Sequence, residues 1–363
     1  MHLVLAGGGH GHLALLRALA ARPLAAVRVT LVTPESRQWY SGMLPGWIAG
    51  QFDPTDCTID LALLARRAGV KLVMSAVTGL DAGERTLLLA TGETVLYDLL
   101  SLNLGATPPT LPAAPGAIPL LPIKPMADFA GRWQALMAED RPAGLRVAVV
   151  GAGAAGVEVA LAVNHALRLR GSGGSVALVD PAGPLSALAA RARRLALAEL
   201  HRRGVALIHD SALGVSPDGL VLSSGGVLAA DCAILASGAV PPDWPRASGL
   251  AVDGRGRVLV NPSMRSISHP EVFAVGDGSA REDRALVPSG VHAVKGGAVL
   301  AHNLRALLEG GAAKPYRPRE KVLHLLGYGE RRGLACFGPA AVEGCWVWYW
   351  KRWIDRRFIA RHR

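Results

Sequence analysis

Two glycine-rich segments are the parts of this 363-residue chain best suited to chemistry, because each follows a strand-like apolar run and precedes a helical one. The second segment places Gly151, Gly153 and Gly156 in a G-x-G-x-x-G spacing. Such glycines let the backbone approach a pyrophosphate, whose charge a helix N-terminus stabilises. Asp180 ends the next strand-like run, where a carboxylate binds ribose hydroxyls and repels a 2′-phosphate. This segment is predicted to bind NAD(P)H, with NADH preferred. Three arginines on the following helical run would favour NADPH instead: Arg191, Arg193 and Arg194.

The first glycine-rich segment departs from that pattern. Gly7 and Gly9 match it, but His12 stands where the third glycine is expected. The acid after the next strand-like run is displaced to Glu35. We expect these four residues to contribute to a second nucleotide site. A local role, in which His10 and His12 pack and cap the helix N-terminus, stays open as the alternative.

The totals of the chain favour a folded protein of two domains. Hydrophobic residues make up 50% of it, and 43 glycines and 24 prolines indicate many tight turns. The formal net charge of +11 favours an anionic partner, which could be a dinucleotide, an anionic membrane surface or nucleic acid. The charge is accompanied by no nucleic-acid-binding motif, and the glycine loops already explain phosphate affinity, so nucleic acid is not expected.

The cysteines indicate neither a metal site nor a close redox pair. Cys57, Cys232, Cys336 and Cys345 form no CxxC motif, and no His or Cys cluster has zinc spacing. No metal is expected, and a reducing compartment is the default. The N-terminal residues are typical of a first strand rather than a signal peptide, and no apolar run is long enough to span a bilayer. The sequence favours a cytoplasmic protein, or one peripheral to the inner membrane.

The same order of elements surrounds both glycine loops, which indicates an internal duplication. Each loop lies between a strand and a helix, and a second strand follows. These three elements are predicted over residues 2–6, 13–21 and 27–32 in the first copy, and 145–150, 157–168 and 175–180 in the second. A further strand is predicted over 95–104 and a helix over 291–308. Proline-rich stretches at 108–125 and 241–245 indicate connectors between domains.

The two loops, together with Gly276 and Asp277 after a later apolar run, resemble the pyridine nucleotide–disulfide oxidoreductase superfamily. Within it the chain is similar to type II NADH dehydrogenases and sulfide:quinone reductases. A narrower resemblance is to a subfamily found alone or fused to selenophosphate synthetase. It rests on GGGHGH at 7–12, YSGMLPG at 40–46, IKP at 123–125 and the aromatic, basic ending at 348–358.

The superfamily resemblance implies a fold and its cofactors. It implies bound FAD, with NADH or NADPH as hydride donor. The fold class is α/β, with two Rossmann-like domains, the second inserted in the first, and a small C-terminal α+β region. On this basis residues 1–110 and 255–312 form the FAD-binding domain, 111–254 the NAD(P)H-binding domain, and 313–363 an interface or docking region.

The resemblance also implies roles for particular residues at the flavin. Asp277 would accept a hydrogen bond from FAD, and a helix beginning after Pro288 would point its N-terminus at the flavin ring. Further residues implied at FAD are Gly42, Pro45, Gly276, Gly290, Val291 and Lys295.

Lys124 and Glu158 are the candidate catalytic residues by the same resemblance. Lys124 lies where the chain crosses between the domains, near the meeting point of flavin and nicotinamide. Glu158 follows the second glycine loop and resembles a glutamate near the nicotinamide in related enzymes. A solvated linker lysine and a helix-surface glutamate are the alternatives.

The electron acceptor is the open part of the reaction, since hydride transfer between the cofactors needs little acid–base help. Disulfide substrates are disfavoured because no CxxC or CxxxxC pair is present. A quinone or another small acceptor is expected. Two alternatives remain: a sulfide:quinone reductase-like enzyme using Cys57, Cys336 or Cys345, and a flavin-binding accessory protein of selenium metabolism.

The C-terminal end is aromatic and basic. As a helix it would place on one face Trp346, Tyr349, Trp350, Trp353, Ile354 and Phe358. Toward the other face would lie Lys351, Arg352, Asp355 and Arg356. Such a helix predicts contact with an anionic membrane surface. Packing of the aromatic face on the flavin domain, or across a homodimer, is the alternative.

Overall fold

The structure is a computed structural model that describes residues 1–106, 108–139, 144–171, 173–238, 240–286 and 289–363. Two 3₁₀ turns lie at Ser41–Met43 and Pro54–Cys57. The first part of the chain contains, in order, β1 (His2–Ala6), α1 (His10–Ala21), β2 (Arg28–Thr33), β3 (Arg37–Trp39), α2 (Leu44–Ile48), β4 (Thr58–Asp60), α3 (Leu61–Arg67), β5 (Lys71–Met74), β6 (Val77–Asp81), β7 (Thr86–Leu89), β8 (Thr94–Leu96) and β9 (Leu99–Leu102).

The middle part of the chain repeats this alternation of strands and helices. It contains β10 (Leu120–Pro122), α4 (Met126–Ala138), β11 (Arg146–Val150), α5 (Ala154–Arg170), β12 (Ser175–Val179), α6 (Ala190–Arg202), β13 (Ala206–Ile208), β14 (Ala212–Ser216), β15 (Gly219–Leu222), β16 (Val227–Ala229), β17 (Cys232–Leu235) and α7 (Trp244–Ala247).

The last part returns to the first sheet and then adds a separate small unit. It contains β18 (Val258–Val260), β19 (Val272–Ala274), β20 (Ser279–Arg281), α8 (Gly290–Glu309), β21 (Leu323–Gly327), β22 (Gly333–Phe337), β23 (Ala340–Gly344) and α9 (Cys345–Ala360).

Two five-stranded parallel sheets form the framework. The first has the order β19–β9–β1–β2–β5 and the second the order β10–β17–β11–β12–β13. β19 pairs with β9, with Val272 opposite Leu100, so the chain leaves this sheet after β9 and re-enters it later. The central strands are buried along nearly their whole length, as parallel strands covered on both faces must be. The prediction of an α/β fold with two Rossmann-like units is confirmed.

The internal duplication extends beyond the two glycine loops. In each copy a three-stranded antiparallel unit comes just before the strand that pairs with the central strand. β6–β7–β8 comes before β9, which pairs with β1, and β14–β15–β16 comes before β17, which pairs with β11. β1, β2 and β5 therefore correspond in order to β11, β12 and β13. Both copies place their glycine loop at the carboxyl end of the central strand, where open α/β sheets bind ligands.

One predicted strand proved to be two. Residues 95–104 were expected to form a single strand, whereas β8 and β9 are separated at Tyr97 and Asp98. β8 pairs antiparallel with β7, and β9 pairs parallel with β1. The Asp98 amide donates to His2 O, which turns the chain from one sheet into the other. The apolar run was continuous, so periodicity could not show the change of sheet.

The C-terminal unit is a three-stranded antiparallel sheet, β21–β22–β23, followed by α9. Val347 and Ile359 of α9 are buried, so the helix is anchored in the body of the protein. None of the helices in the described ranges combines the length and apolar composition needed to cross a bilayer.

The first glycine loop is held by close helix packing and by Asn103. A Cβ on Gly297 of α8 would lie 2.3 Å from Gly11 O, so α1 and α8 touch through their backbones. Asn103 is buried at the end of β9; its Oδ1 accepts from Gly11 N at 2.9 Å, and its Nδ2 donates to Val275 O at 2.8 Å. One side chain thus joins α1, β9 and the segment after β19.

We expect Asn103→Ala to lower the free energy of unfolding by about 2–4 kcal/mol, because it leaves a buried amide and a buried carbonyl without partners. Urea unfolding measures the loss. Asn164 is the matched control, since it is equally buried but makes one long bond, from Nδ2 to Arg203 O at 3.3 Å. Equal losses in the Asn103→Ala and Asn164→Ala variants would contradict this account of the loop.

Candidate active site

A large open cleft, here called the cofactor cleft, lies where the strands of the first sheet end. Its free volume is about 400 Å³. The ends of β1, β2, β9 and β19 all contribute to it. Predicted site residues brought together in its lining are Gly7, Gly9, Glu35, Lys124, Gly276, Asp277 and Gly290.

The first glycine loop fits a dinucleotide in this cleft. Gly7 has φ +94°, and a Cβ there would lie 2.4 Å from Asn103 O. A Cβ on Gly9 would lie 2.5 Å from Asn103 Oδ1. Gly9 is also the N-cap of α1 and supplies no side chain to cap it. Asn103 Oδ1 accepts from the Gly11 and His12 amides at 2.9 and 3.2 Å, so a pyrophosphate at this loop would use the amides that precede them.

Opposite charges meet across the cleft at Lys124 and Asp277. Lys124 Nζ lies 3.2 Å from Asp277 Oδ2, and both side chains are partly exposed. Gly276 has φ +83°, and a Cβ there would lie 2.6 Å from Asn103 Nδ2, so only glycine suits this turn. Glu35 lines the cleft near the end of β2, and burial raises the pKa of its carboxyl.

The N-terminus of α8 reaches the cleft through Gly290. Val291 and Lys295 belong to the same helix, but both are exposed and neither is part of the cleft lining. Pro288, named in the predicted helix start, lies outside the described residues. Ser289 is the N-cap of α8, and its side chain accepts from His292 N. Of the three residues predicted at the flavin on this helix, the structure places Gly290, but not Val291 or Lys295, in the lining of the cleft.

His12 does not line the cofactor cleft, contrary to its prediction as a cofactor residue. It is fully buried, with Nδ1 2.6 Å from Gly7 O and Nε2 2.8 Å from Ser101 Oγ. Burial lowers the pKa of His12 to about 4. Gly11, rather than residue 12, makes the close approach to α8, which leaves room for a histidine at the next position. The packing alternative is correct for His12.

The second glycine loop has the geometry that NAD(P)H binding needs. Gly151 has φ +100°, and a Cβ there would lie 2.7 Å from Ser237 backbone atoms. A Cβ on Gly156 would lie 1.7 Å from Gly151 O, and Gly153 is the N-cap of α5. The carboxylate of Asp180 accepts from Ala152 N at 2.9 Å, so the acid lies directly beside the loop.

A second, smaller cavity, here called the inner cavity, encloses a group of ionisable side chains. Its free volume is about 20 Å³, about the space of one water molecule, and it is lined by Gly42, Pro45, Glu158 and α9 residues, among others. Lys351 Nζ donates to Gly42 O at 2.7 Å. The same nitrogen lies 3.2 Å from Asp355 Oδ2 and 3.8 Å from Glu158 Oε1. Gly42 and Pro45, predicted at the flavin, thus line this cavity.

Each member of this buried cluster of Glu158, Lys351 and Asp355 has a raised pKa. Burial raises the pKa of Glu158, partly opposed by the Lys351 ammonium. Burial likewise raises the pKa of Asp355. Burial works to lower the pKa of Lys351, but the carboxylates of Glu158 and Asp355 more than offset it. The two acids retain protons to higher pH than exposed carboxyls do, so the cluster can store a proton.

Tyr40 links this cluster to the cofactor cleft. Its hydroxyl lies near Asp355, and its ring stacks on Phe358 with centroids 4.3 Å apart. Ser41 lines the cofactor cleft, while the next residue, Gly42, lines the inner cavity. Adjacent residues of the chain therefore line the two cavities.

The inner cavity adjoins an open groove along α9, here called the outer groove, lined among others by His165, Arg331 and Arg356. Residues shared by the inner cavity and the outer groove are Gln51, Gly329, Trp348 and Arg352. The ionisable cluster is thus connected to the surface of the molecule.

The orientation of α9 corrects the predicted faces of this helix. Lys351 and Asp355 were expected toward the face opposite the aromatic residues, as basic and polar flanks; they instead line the inner cavity, where Asp355 is buried and Lys351 is largely buried. An exposed aromatic surface is formed instead by Trp346, Tyr349, Trp350 and Trp353, which are 53%, 56%, 36% and 56% exposed. Gly42 O and Glu158 supply partners for the lysine inside, and a hydropathy pattern carries no information about such partners.

The cysteines lie in settings that disfavour thiolate chemistry. Cys57 and Cys336 are buried, and burial raises the pKa of Cys57 to about 12. Burial also raises the pKa of Cys336. Cys345 is exposed at the start of α9. A reactive cysteine needs a lowered pKa, so the geometry gives the sulfide alternative no support from Cys57 or Cys336.

Four site residues were not found from the sequence: Asn103, Tyr40, Lys351 and Asp355. Asn103 follows a strand, as a loop asparagine commonly does, and carried no distinguishing signal. Lys351 and Asp355 are four residues apart on a helix, a spacing equally typical of an exposed ion pair. Their partners come from distant parts of the chain.

Comparison with known proteins agrees with this arrangement. A NADH dehydrogenase-like protein of Mycobacterium tuberculosis is 33% identical over 241 residues, which cover 63% of this chain and 60% of that protein. An alternative NAD(P)H-ubiquinone oxidoreductase of Arabidopsis thaliana is 28% identical over 320 residues, which cover 76% of this chain and 61% of that protein. The chain spans about 60% of the length of these curated relatives.

Solved structures show the same fold. The sulfide:quinone oxidoreductase of Aquifex aeolicus superimposes with a TM-score of 0.80 at 17% identity, covering 100% of this chain and 91% of that one. A ferredoxin reductase of Rhodopseudomonas palustris gives a TM-score of 0.73 at 21% identity, and the match covers 94% of this chain and 90% of that one.

A family model provides the assignment. The model described as pyridine nucleotide-disulphide oxidoreductase matches residues 1–297, which include both glycine loops and Gly276–Asp277. Members of this family generally depend on FAD and NAD(P)H. The superfamily resemblance read from the motifs is therefore confirmed: the chain belongs to the pyridine nucleotide-disulphide oxidoreductase family.

Proposed function

We propose that this chain is a FAD-dependent NAD(P)H:acceptor oxidoreductase whose acceptor is a quinone or a similar small molecule. The observation that carries the proposal is the buried cluster of Glu158, Lys351 and Asp355 in the inner cavity, one residue away from the cofactor cleft. Bound FAD would supply the ability to take a hydride from NAD(P)H and pass two electrons onward. The narrower resemblance to the subfamily linked with selenophosphate synthetase rests on motif residues alone and adds no substrate.

Residues from three parts of the chain meet at the inner cavity. Glu158 lies on α5, directly after the second glycine loop, where the nicotinamide cofactor would bind. Gly42 belongs to the first unit, and Lys351 and Asp355 come from α9. In this arrangement the cofactor cleft holds FAD, with Lys124 and Asp277 beside it. The acceptor would lie in the outer groove, with its reacting group at the inner cavity.

The protein's own contribution to the chemistry is a proton. The reaction NAD(P)H + H⁺ + acceptor → NAD(P)⁺ + reduced acceptor consumes one proton per turnover. Burial raises the pKa of Glu158, which favours a protonated carboxyl, and Lys351 Nζ lies 3.8 Å away. When protonated, Glu158 can pass this proton to an acceptor at the inner cavity. Lys124 orients Asp277 in the cofactor cleft and takes no part in this transfer.

We expect Glu158→Gln to lower turnover with a quinone on the order of 100-fold, because the amide still accepts from Gly327 N but has no acidic proton to give. In the unchanged protein, turnover should fall as pH rises through the raised pKa of Glu158, and this decline should disappear in the variant. Steady-state rates across pH measure both effects.

The matched control is Glu199→Gln. Glu199 is also buried, but it lines neither cavity and pairs instead with Arg203, at a distance of 3.1 Å. It should lower stability while leaving the pH profile of turnover unchanged. Full activity in Glu158→Gln would contradict the proton-donor role.

A preference for NADH follows from the position of Asp180. Its carboxylate lies beside the second glycine loop, where it can bind ribose hydroxyls and repel a 2′-phosphate. We expect Asp180→Asn to reduce kcat/KM for NADH about ten-fold and to narrow the discrimination against NADPH, because the negative charge is removed. Faster reduction of the unchanged protein by NADPH than by NADH at equal concentration would show the preference to be wrong.

The exposed aromatic surface of α9 supports peripheral contact with an anionic membrane. Trp346 and Trp350 stack with centroids 6.0 Å apart, and Arg357 lies over the Trp353 ring at 5.2 Å. Tryptophans flanked by arginines suit the headgroup boundary of such a membrane, where a quinone is also met. The outer groove lies along this face, so an apolar acceptor could enter from the membrane side.

We expect the full chain to sediment with vesicles containing anionic lipid at low salt and to lose at least about ten-fold of this affinity when Trp346, Trp350 and Trp353 are changed to Ser. Phe337→Ser is the matched control, since Phe337 is 49% exposed outside this surface. Equal binding by the triple variant would refute the proposal. If the unchanged protein did not bind vesicles but formed a dimer that the triple variant could not form, the surface would be a homodimer interface instead.

A further inference from the structure

The outer groove along α9 contains more positive charge than its own acid can neutralise. Its free volume is about 1130 Å³, and its lining includes four arginines and one acid: Arg331, Arg352, Arg356, Arg357 and Glu330. The acid is already engaged, because Glu330 pairs with Arg203 at 2.5 Å and with Arg202 at 3.6 Å. Within the described ranges, none of the four groove arginines forms an ion pair with a carboxylate. The groove therefore has a positive field that attracts anions.

Two of these arginines lie near enough to Arg352 to repel it. Burial lowers the pKa of Arg352, and the guanidinium groups of Arg356 and Arg331 lower it further, opposed in part by Asp56. An arginine stays protonated at neutral pH all the same, so the repulsion among the three side chains persists. An anion bound between them would relieve this repulsion and accept charge-assisted hydrogen bonds.

Arg352 marks the inner end of this positive charge. Its guanidinium group lies over two rings, Phe52 at 4.8 Å and Trp348 at 5.1 Å from the ring centroids. Arg352 and both rings also line the inner cavity. Arg331 and Arg356 line the outer groove but not the inner cavity. The positive charge thus begins beside the buried cluster and continues outward along the groove.

The rest of the groove suits an aromatic or apolar body. Trp348, Tyr349 and Trp353 contribute rings to its lining. The groove histidine, His165, is neutral at neutral pH, since burial and the nearby Arg203 lower its pKa, opposed in part by Glu330. Rings and arginines together fit a ligand that combines a flat apolar part with an acidic substituent.

We propose that the outer groove selects an acceptor with an acidic group on an aromatic body, and that Arg331, Arg352 and Arg356 bind this group. The inference rests on the proposed function, in which the reacting end of the acceptor lies at the inner cavity. A carboxylate or sulfonate held in the groove leaves the quinone ring free to reach the buried cluster. An uncharged quinone gains only the aromatic contacts, so the arginines discriminate between the two classes of acceptor.

Kinetics with a charged and an uncharged quinone test this selectivity. In the double variant Arg331→Gln/Arg356→Gln, the KM for naphthoquinone sulfonate should rise about ten-fold with little change in kcat, because two exposed charge contacts are lost. The KM for naphthoquinone itself should change much less. The matched control is Arg317→Gln/Arg319→Gln, which removes the same charge at two exposed arginines outside the groove lining and should leave both KM values as they are.

A binding measurement without electron transfer separates the inference from the proposed function. The full chain, titrated with naphthalene sulfonate in a calorimeter, should bind it, and the groove double variant should bind it about ten-fold more weakly. Added salt should weaken the binding, since the contacts are ionic. If the protein bound naphthalene sulfonate in this way but reduced no quinone, the proposed function would fail and the anion site would remain.

Three results would overturn the inference. Equal changes in KM for the charged and uncharged quinones would show that the arginines shape the groove without binding an acid. An equal loss of naphthalene sulfonate affinity in the control variant would assign the effect to the overall charge of the protein. If the groove double variant lost vesicle binding but kept its affinity for naphthalene sulfonate, the arginines would serve lipid headgroups instead.

Discussion

The ammonium group of Lys351 is the feature on which the arrangement of the site depends. A buried charge is tolerated only when opposite charges and hydrogen bonds surround it. Gly42 O, Asp355 and Glu158 provide them here, and they belong to the first unit, to α9 and to the second unit. The cost of burying the lysine therefore enforces the approach of three separate parts of the chain, and the inner cavity forms at their meeting point.

Duplication of one βαβ unit explains why the chain has two glycine loops in the same structural setting. Each copy carries its glycine loop at the carboxyl end of its central strand, and the chain returns to the first sheet through β19. This return brings Gly276 and Asp277 beside Asn103 and the first loop. The cofactor cleft thus depends on residues far apart in sequence, joined by a single buried asparagine.

Motifs tied to backbone geometry were predictable from the sequence, because glycines at tight turns and strand-ending acids leave local signals. The two loops, their order and the helix α8 were read correctly, and the fold followed from them. His12 was misassigned because Gly11 had taken over the close helix contact, a substitution visible only in three dimensions. The inward position of Lys351 and Asp355 on α9 was not predicted, because their partners Glu158 and Gly42 O are distant in sequence.

In the proposed function, electrons pass from a nicotinamide cofactor to FAD bound in the cofactor cleft. Anaerobic rapid mixing of the FAD-loaded protein with NADH, followed through the visible absorbance of the flavin, is the decisive experiment. The flavin band should bleach at a rate that saturates with NADH concentration, and it should return when a quinone is added. A flavin that stays oxidised in excess NADH and NADPH would rule out this electron transfer.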